Sequence, residues 1–385
     1  MRVLVTSTPG LGHTSPLAPL AAAMQAAGHQ VLWASADESC DRLRGMGFEV
    51  VDAGMGVGER RAALEPQMPE IMALEPRDRR ARVFAGYFGQ IAAPRMHSAL
   101  GPVFESFQPD VVIHEIAELA AAPMAIGRGV PHVTVAFSGA LAPEVMAGVL
   151  ATTASLWSLE GAANAGAAEL LGAMYLHPFP PSFGGAPAHG DVRLVRPEAV
   201  HAGDAGEVPE WLASLGTDRP LVYITAGSEV TATLAPWAAA LEALADLDVD
   251  AIATIGPTLD PATLGVLPVN VRVERFVPQH LVLDRAAVVA SHGGAGTVLG
   301  AALHGVPQLL FPIAADQWEN ADAVARAGAG VVCELENRSA AELAQGLQLL
   351  LGDGSRRESA TLIANEMAAM PLAAEHVVAI EALVG

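Results

Sequence analysis

Ser291-His-Gly-Gly-Ala-Gly-Thr297 decides how this 385-residue chain is read. It follows the apolar run Ala286-Ala-Val-Val-Ala290 and precedes a helical pattern, Val298–His304. A strand therefore ends in a glycine-rich turn that opens a helix. Such a turn aims unpaired backbone N–H groups and the positive end of the helix dipole at one spot, which suits a diphosphate. With no side chain at Gly293, Gly294 or Gly296, the backbone can approach phosphate oxygens closely. His292 adds a side-chain donor at the rim.

Outward from this turn the same grammar repeats. In the first half, Arg2–Ser7, Gln30–Ser35, Asp110–His114 and His132–Ala136 read as buried strands. Helical patterns at Pro16–Ala27, Arg80–Phe107 and Ala117–Arg128 separate them. In the second half, strands are expected near Leu221–Thr225, Ala251–Ile255, Val288–Ser291, Gln308–Phe311 and Gly330–Cys333. Helices are expected near Leu234–Ala245, Thr297–His304, Asn320–Ala327 and Ala340–Leu351. Alternating strands and helices imply parallel sheets covered by helices, an α/β class with two Rossmann-like doubly wound domains facing across a cleft. The expected division is 1–195, a linker over 196–219 rich in Pro, Gly and polar residues, 220–370, and 371–385. Within the last stretch an amphipathic helix, Ala373–Val384, returns to the first domain. Residues 54–98 and 138–187 read as the least regular parts of the chain.

Composition narrows the function. Apolar residues make up 52% of the chain, enough for a large core, and the net charge is −21. That charge argues against binding nucleic acid by phosphate neutralisation. All 21 basic residues are arginine. The absence of lysine excludes a Walker-type P-loop and lysine Schiff-base chemistry. Cys40 and Cys333 lack metal-ligand spacing, and a reducing compartment is expected. No stretch reaches the length of a membrane span, and the N-terminus carries no export pattern, so a cytoplasmic protein with no membrane partner is expected.

Several residues carry candidate chemistry. His13, in Gly10-Leu-Gly-His13 after the first strand, reads as a neutral imidazole base on a loop. Glu115, ending Asp110-Val-Val-Ile-His-Glu115, reads as its orienting carboxylate, with Glu118 the alternative. Ser228 reads as a phosphate donor and Phe276 as a base-stacking ring, with the Val277 backbone reading the base edge. Asp316-Gln317 suits bidentate hydrogen bonds to sugar hydroxyls. Gly12, Met68, Phe84, Phe88 and Phe137 are candidates for an apolar acceptor pocket, Met68 sharing a helix face with Met72.

Together, Gly10-Leu-Gly-His13, Phe276-Val-Pro-Gln279, His292-Gly-Gly-Ala-Gly-Thr297, Gly305-Val-Pro-Gln308 and Ala315-Asp-Gln317 stand in the order and spacing of family 1 glycosyltransferases. The chain resembles the bacterial branch that decorates antibiotics, including the calicheamicin enzymes. The resemblance implies a GT-B fold and inverting sugar transfer from a nucleotide sugar to a hydrophobic natural-product aglycone, with no catalytic metal or other cofactor. It implies that His13 deprotonates the acceptor and that Glu115, an aspartate in most of the family, orients it. It also implies a diphosphate cradle of Ser228, His292, Gly294, Ala295, Gly296 and Thr297, with Asp316 and Gln317 on the donor sugar. Plant relatives stack a tryptophan where Phe276 stands. They bind both ribose hydroxyls with a glutamate where this chain has Gly300, so a dTDP-sugar is expected over a UDP-sugar. The rival readings are a non-catalytic nucleotide-sugar-binding activator of the same fold and an NAD-dependent Rossmann oxidoreductase. A monomer or homodimer is compatible with all of these.

Overall fold

The computed structural model describes residues 1–188, 190–198, 209–215, 217–227, 235–334 and 338–385. The chain divides into two compact units. One comprises Met1–Phe179, Gly185–Asp204 and Met370–Gly385, and the other Pro180–Gly184 and Ala205–Ala369.

The first unit is built on seven parallel strands: β1 (Arg2–Thr6), β2 (Gln30–Ser35), β3 (Glu49–Asp52), β4 (Val111–Glu115), β5 (His132–Val135), β6 (Met174–His177) and β7 (Val192–Leu194). Their order is β3-β2-β1-β4-β5-β6-β7. Both faces are covered, which explains the unbroken apolar runs. Leu4 and Val112 pack on one side with the helices Ala93–Phe107 and Pro143–Leu159. Val3, Val5, Val111 and Ile113 pack on the other with helix Ala18–Ala26. The C-terminal segment joins that second face. Ala373, Val377 and Ile380 enter the cluster of Leu17, Leu20 and Met24, and His29 Nε2 lies 2.9 Å from Glu381.

The second unit holds six parallel strands: β8 (Leu221–Thr225), β9 (Asp250–Thr254), β10 (Val271–Glu274), β11 (Ala286–Ser291), β12 (Gln308–Leu310) and β13 (Gly330–Val332). Their order, β10-β9-β8-β11-β12-β13, repeats the pattern of the first sheet. In each sheet the strand order reverses beside the first strand, between β1 and β4 and between β8 and β11. The loops leaving the carboxyl ends of those strand pairs are where doubly wound sheets bind ligands.

Three expectations need correction. His13, expected on a loop, sits on a single helical turn, Leu11–Thr14, which precedes the helix expected over Pro16–Ala27 and found as Ala18–Ala26. Pro16 has no N–H with which to continue the first piece. The stretches 54–98 and 138–187 are largely helical, including Val57–Leu64, Arg79–Phe84, a π-helix over Ala85–Ala92, and Pro143–Leu159. They pack helix against helix, which blurs the one-sided apolar stripe of a surface helix. An added Cβ at Gly89 would lie 2.2 Å from Thr152 Oγ1, so glycine there sets how closely the π-helix approaches Pro143–Leu159. The single helix expected over Ala373–Val384 is a 3₁₀ turn, Ala373–His376, followed by Val377–Glu381. Its burial against the first sheet, rather than its own length, holds it in place.

Candidate active site

In the first unit, the ends of β1 and β4 bring His13 and Glu115 together. His13 Nδ1 lies 3.2 Å from Glu115 Oε1, with the Glu115 side chain fully buried and the imidazole 21% exposed. The contact has ion-pair length but is bent away from a well-aligned hydrogen bond. A carboxylate facing Nδ1 places the ring proton there and leaves the Nε2 lone pair for an acceptor.

Glu115 is anchored from several directions. Its Oε1 accepts from the Thr8 amide at 3.2 Å and the Thr8 hydroxyl at 2.9 Å, and its Oε2 accepts from the Ala117 amide. Burial alone would push the carboxyl pKa up. The His13 ring and these donors outweigh it and hold the group below the usual glutamate value.

Glu118 does not face His13. Its oxygens accept from the Thr6 hydroxyl at 2.6 Å and from the amides of Ala120 and Ala121 at 2.9 and 3.2 Å. Burial raises its pKa to about 7, against the pull of those donors. Two neighbouring carboxyls are thus driven apart, one ionised beside the imidazole and one near half-protonation at neutral pH.

Aromatic rings frame His13. Phe88 lies 5.3 Å from its ring centroid and Phe137 lies 5.1 Å away, edge on. Phe84 packs behind Phe88 at 4.9 Å. Phe88 also lines a small cavity with Thr8, Met55, Arg60, Met96 and Glu118. An added Cβ at Gly12 would meet nothing within 4 Å. Met68 is half-buried and Met72 exposed, while Ile71 is the residue of that short helix turned to the core. The expected Met68–Met72 face is therefore not the inward one.

A buried histidine chain lies beneath this pair. His114 Nδ1 sits 3.1 Å from the Glu115 carbonyl oxygen, His114 Nε2 lies 3.0 Å from His132 Nδ1, and His132 Nε2 lies 3.0 Å from the Glu169 carbonyl oxygen. Burial lowers the pKa of His132 to about 3, helped by His114, and lowers that of His114 as well. The folded values lie below 6.5, so the unfolded chain takes up protons first as pH falls. Their contribution to stability is therefore complete above about pH 6.5 and is lost as pH falls toward 3. Glu118 has the opposite sign: its contribution is complete below its unfolded value and is lost as pH rises through about 7. In urea unfolding measured across pH 4–6.5, His132→Leu should reduce the acid slope by up to about 1.4 kcal/mol per pH unit. An unchanged slope would contradict the assignment.

In the second unit the glycine-rich turn follows β11 as expected. Helix Ala295–Leu303 begins after Gly294, which has an extended N-cap conformation. A helix start leaves its first amides without partners inside the helix. The Thr297 amide already donates to the Gly294 carbonyl at 3.0 Å. The cradle therefore narrows to the amides of Ala295 and Gly296. An added Cβ at Gly296 would meet nothing within 4 Å, so its outer face is open.

His292 is not at the rim. It is 7% exposed, and burial lowers its pKa to about 4, countered in part by the Asp316 charge and the Thr225 backbone. It is a neutral imidazole held between two glycines. An added Cβ would come within 2.9 Å of the ring at Gly227 and 2.5 Å at Gly294.

Phe276 is 72% exposed while Val277 is buried, an arrangement that offers a ring face for stacking from a fixed backbone. Gln317 is buried, and its Oε1 accepts from the amides of Ile313 and Ala314 at 2.7 and 2.8 Å. Only its NH₂ remains for a ligand, so the expected Asp316-Gln317 pair offers an acceptor and a donor rather than a bidentate amide. Ser228 lies outside the described residues. Thr8 and Asn320 were not expected; only their places, in the loop after β1 and one helical turn beyond Asp316, pointed to them.

Two clusters thus occupy the same place in two like sheets, an imidazole–carboxylate pair in one and a glycine-rich helix start in the other. Residues 238–383 match the family described as erythromycin biosynthesis protein CIII-like, C-terminal domain. Over 96% of this chain and 95% of the relative, the sequence is 32% identical to L-demethylnoviosyl transferase of Streptomyces niveus. It is 31% identical to 10-deoxymethynolide desosaminyltransferase of Streptomyces venezuelae, over 86% of this chain and 84% of the relative. Among solved structures, glycosyltransferase VinC in complex with dTDP superposes with a TM-score of 0.81 at 27% identity, covering 100% of this chain and 99% of that one. The fold class is GT-B. The chain belongs to the bacterial glycosyltransferases of antibiotic biosynthesis.

Proposed function

We propose that the protein catalyses inverting, metal-independent transfer of a deoxysugar from a dTDP-sugar to a hydroxyl of a hydrophobic natural-product aglycone. The observation that carries this reading is the His13–Glu115 pair, set between the rings of Phe88 and Phe137. An apolar frame around a base suits an apolar acceptor, and a low-dielectric setting strengthens the imidazolium–carboxylate pairing that forms as the proton is taken. The relatives' names, a demethylnoviosyl and a desosaminyl transferase, and the dTDP bound to VinC support a dTDP-deoxysugar donor.

In this reading the acceptor oxygen attacks the anomeric carbon as His13 Nε2 removes its proton. The nucleoside diphosphate departs from the opposite face with the bonding electron pair. Charge on the leaving diphosphate is met by the amides of Ala295 and Gly296 and by the neutral ring of His292. Gly300 supplies no carboxylate to a ribose 2′-hydroxyl, which leaves dTDP at no disadvantage to UDP.

Thermal melting with dTDP, UDP or NAD⁺ in EDTA tests the donor. A ligand at about 100 times its Kd adds roughly 2.7 kcal/mol. A larger shift with dTDP than with UDP is expected. A shift with NAD⁺ alone would overturn the reading in favour of an oxidoreductase. Binding of dTDP without transfer to any acceptor would mark a non-catalytic activator.

A further inference from the structure

The donor half of the site contains a buried amide whose partners belong to two different loops. Asn320, 1% exposed, donates from Nδ2 to the Gly293 carbonyl oxygen at 2.9 Å and to Asp316 Oδ2 at 3.1 Å. Both partners accept only, so the amide has one orientation that serves them. The bond to the carboxylate is charge-assisted.

Gly293, and the residue preceding Asp316, are held in demanding conformations. Gly293 has φ +84°, and an added Cβ would lie 2.9 Å from the Gln317 carbonyl oxygen. Its own amide donates to Ser291 Oγ at 3.2 Å. On the other loop, Ala315 has φ +56°, a left-handed conformation uncommon for a residue with a side chain. A strained loop bearing a functional carboxylate needs a fastening from the surrounding structure. The Asn320 amide supplies it and ties that loop to the glycine-rich turn.

We propose that Asn320 is a positioning residue that sets the spacing between the diphosphate and the donor sugar. With Oδ2 of Asp316 held, the other oxygen, Oδ1, is left for a sugar hydroxyl. The distance from that oxygen to the amides of Ala295 and Gly296 then defines which hexosyl diphosphates fit. Asn320 touches neither substrate; it acts through Asp316. The inference rests on the donor reading above.

Calorimetric titration with dTDP and with dTDP-glucose tests it on the wild type, Asn320→Leu, Asp316→Ala and the double variant, with a melting curve for each. Asn320→Leu should weaken dTDP-glucose by about tenfold or more, the scale of a hydrogen bond to a charged group. Affinity for dTDP should stay within about threefold, as for a change outside the binding surface. In the Asp316→Ala background Asn320→Leu should cause no further loss specific to dTDP-glucose, because its effect on the hexose passes through that carboxylate. Equal weakening of both ligands, or additive losses, would overturn the inference and make Asn320 a support of the fold alone. A wild-type protein that binds dTDP but gains or loses nothing from the appended hexose would remove its basis. Failure of the wild type to bind dTDP at all would instead sink the donor reading itself.

Discussion

His13→Ala should lower sugar transfer to an alcohol acceptor by about a thousandfold, in the range of a lost general base. Affinity for dTDP should stay within about threefold. His13 belongs to the first unit, and the residues assigned to the nucleotide belong to the second. The variant therefore separates chemistry from donor binding. Glu115→Gln should follow in the same direction. It removes the charge that stabilises the imidazolium, while Thr8 and Ala117 lose a carboxylate acceptor. Transfer and dTDP binding are measured side by side. Parallel loss of dTDP affinity in His13→Ala would move the residue from catalysis to structure.

Gly294→Ala should weaken dTDP by about 100-fold, the upper scale for forcing an atom into a packed site. The new Cβ would stand 2.5 Å from His292 Nε2. The ring is buried and has Gly227 on another side, where a Cβ would already be 2.9 Å away. It has no easy retreat. The displaced ring and the helix start beside it are the groups assigned to the diphosphate. Gly12→Ala is the control, since a Cβ there meets nothing within 4 Å and the residue belongs to the other unit. Wild-type dTDP affinity in Gly294→Ala would show that His292 and the helix start do not hold the nucleotide.

The two sheets were legible because strands buried on both faces leave continuous apolar runs, as in Arg2–Thr6 and Ala286–Ser291. The short strands Glu49–Asp52, Met174–His177 and Val192–Leu194 were not; the first and last offer only two apolar residues each and carry charge. The π-helix over Ala85–Ala92 left no readable mark. It depends on packing against Pro143–Leu159, not on local propensity.

For the site, the residue types were written in the chain and their relations were not. The glycine-rich turn after an apolar strand follows from local physics alone, because only glycine permits that backbone and a helix must begin with unpaired amides. His13 was readable as a polar residue at the end of a strand. Which carboxylate it meets was not. Glu115 ends β4 and Glu118 lies three residues on in the following loop, and the pairing of β1 with β4 brings the first to His13 and the second to Thr6. Burial then decides protonation. It holds Glu118 near pKa 7 and brings His292 down to about 4, because removing charge from water outweighs the nearby donors and charges. The amino-acid sequence determined the sheets, the glycine-rich turn and the kinds of side chain at the strand ends. The tertiary structure alone decided which of them meet and which carry charge, since both depend on distances and desolvation that residues remote in the chain impose on one another.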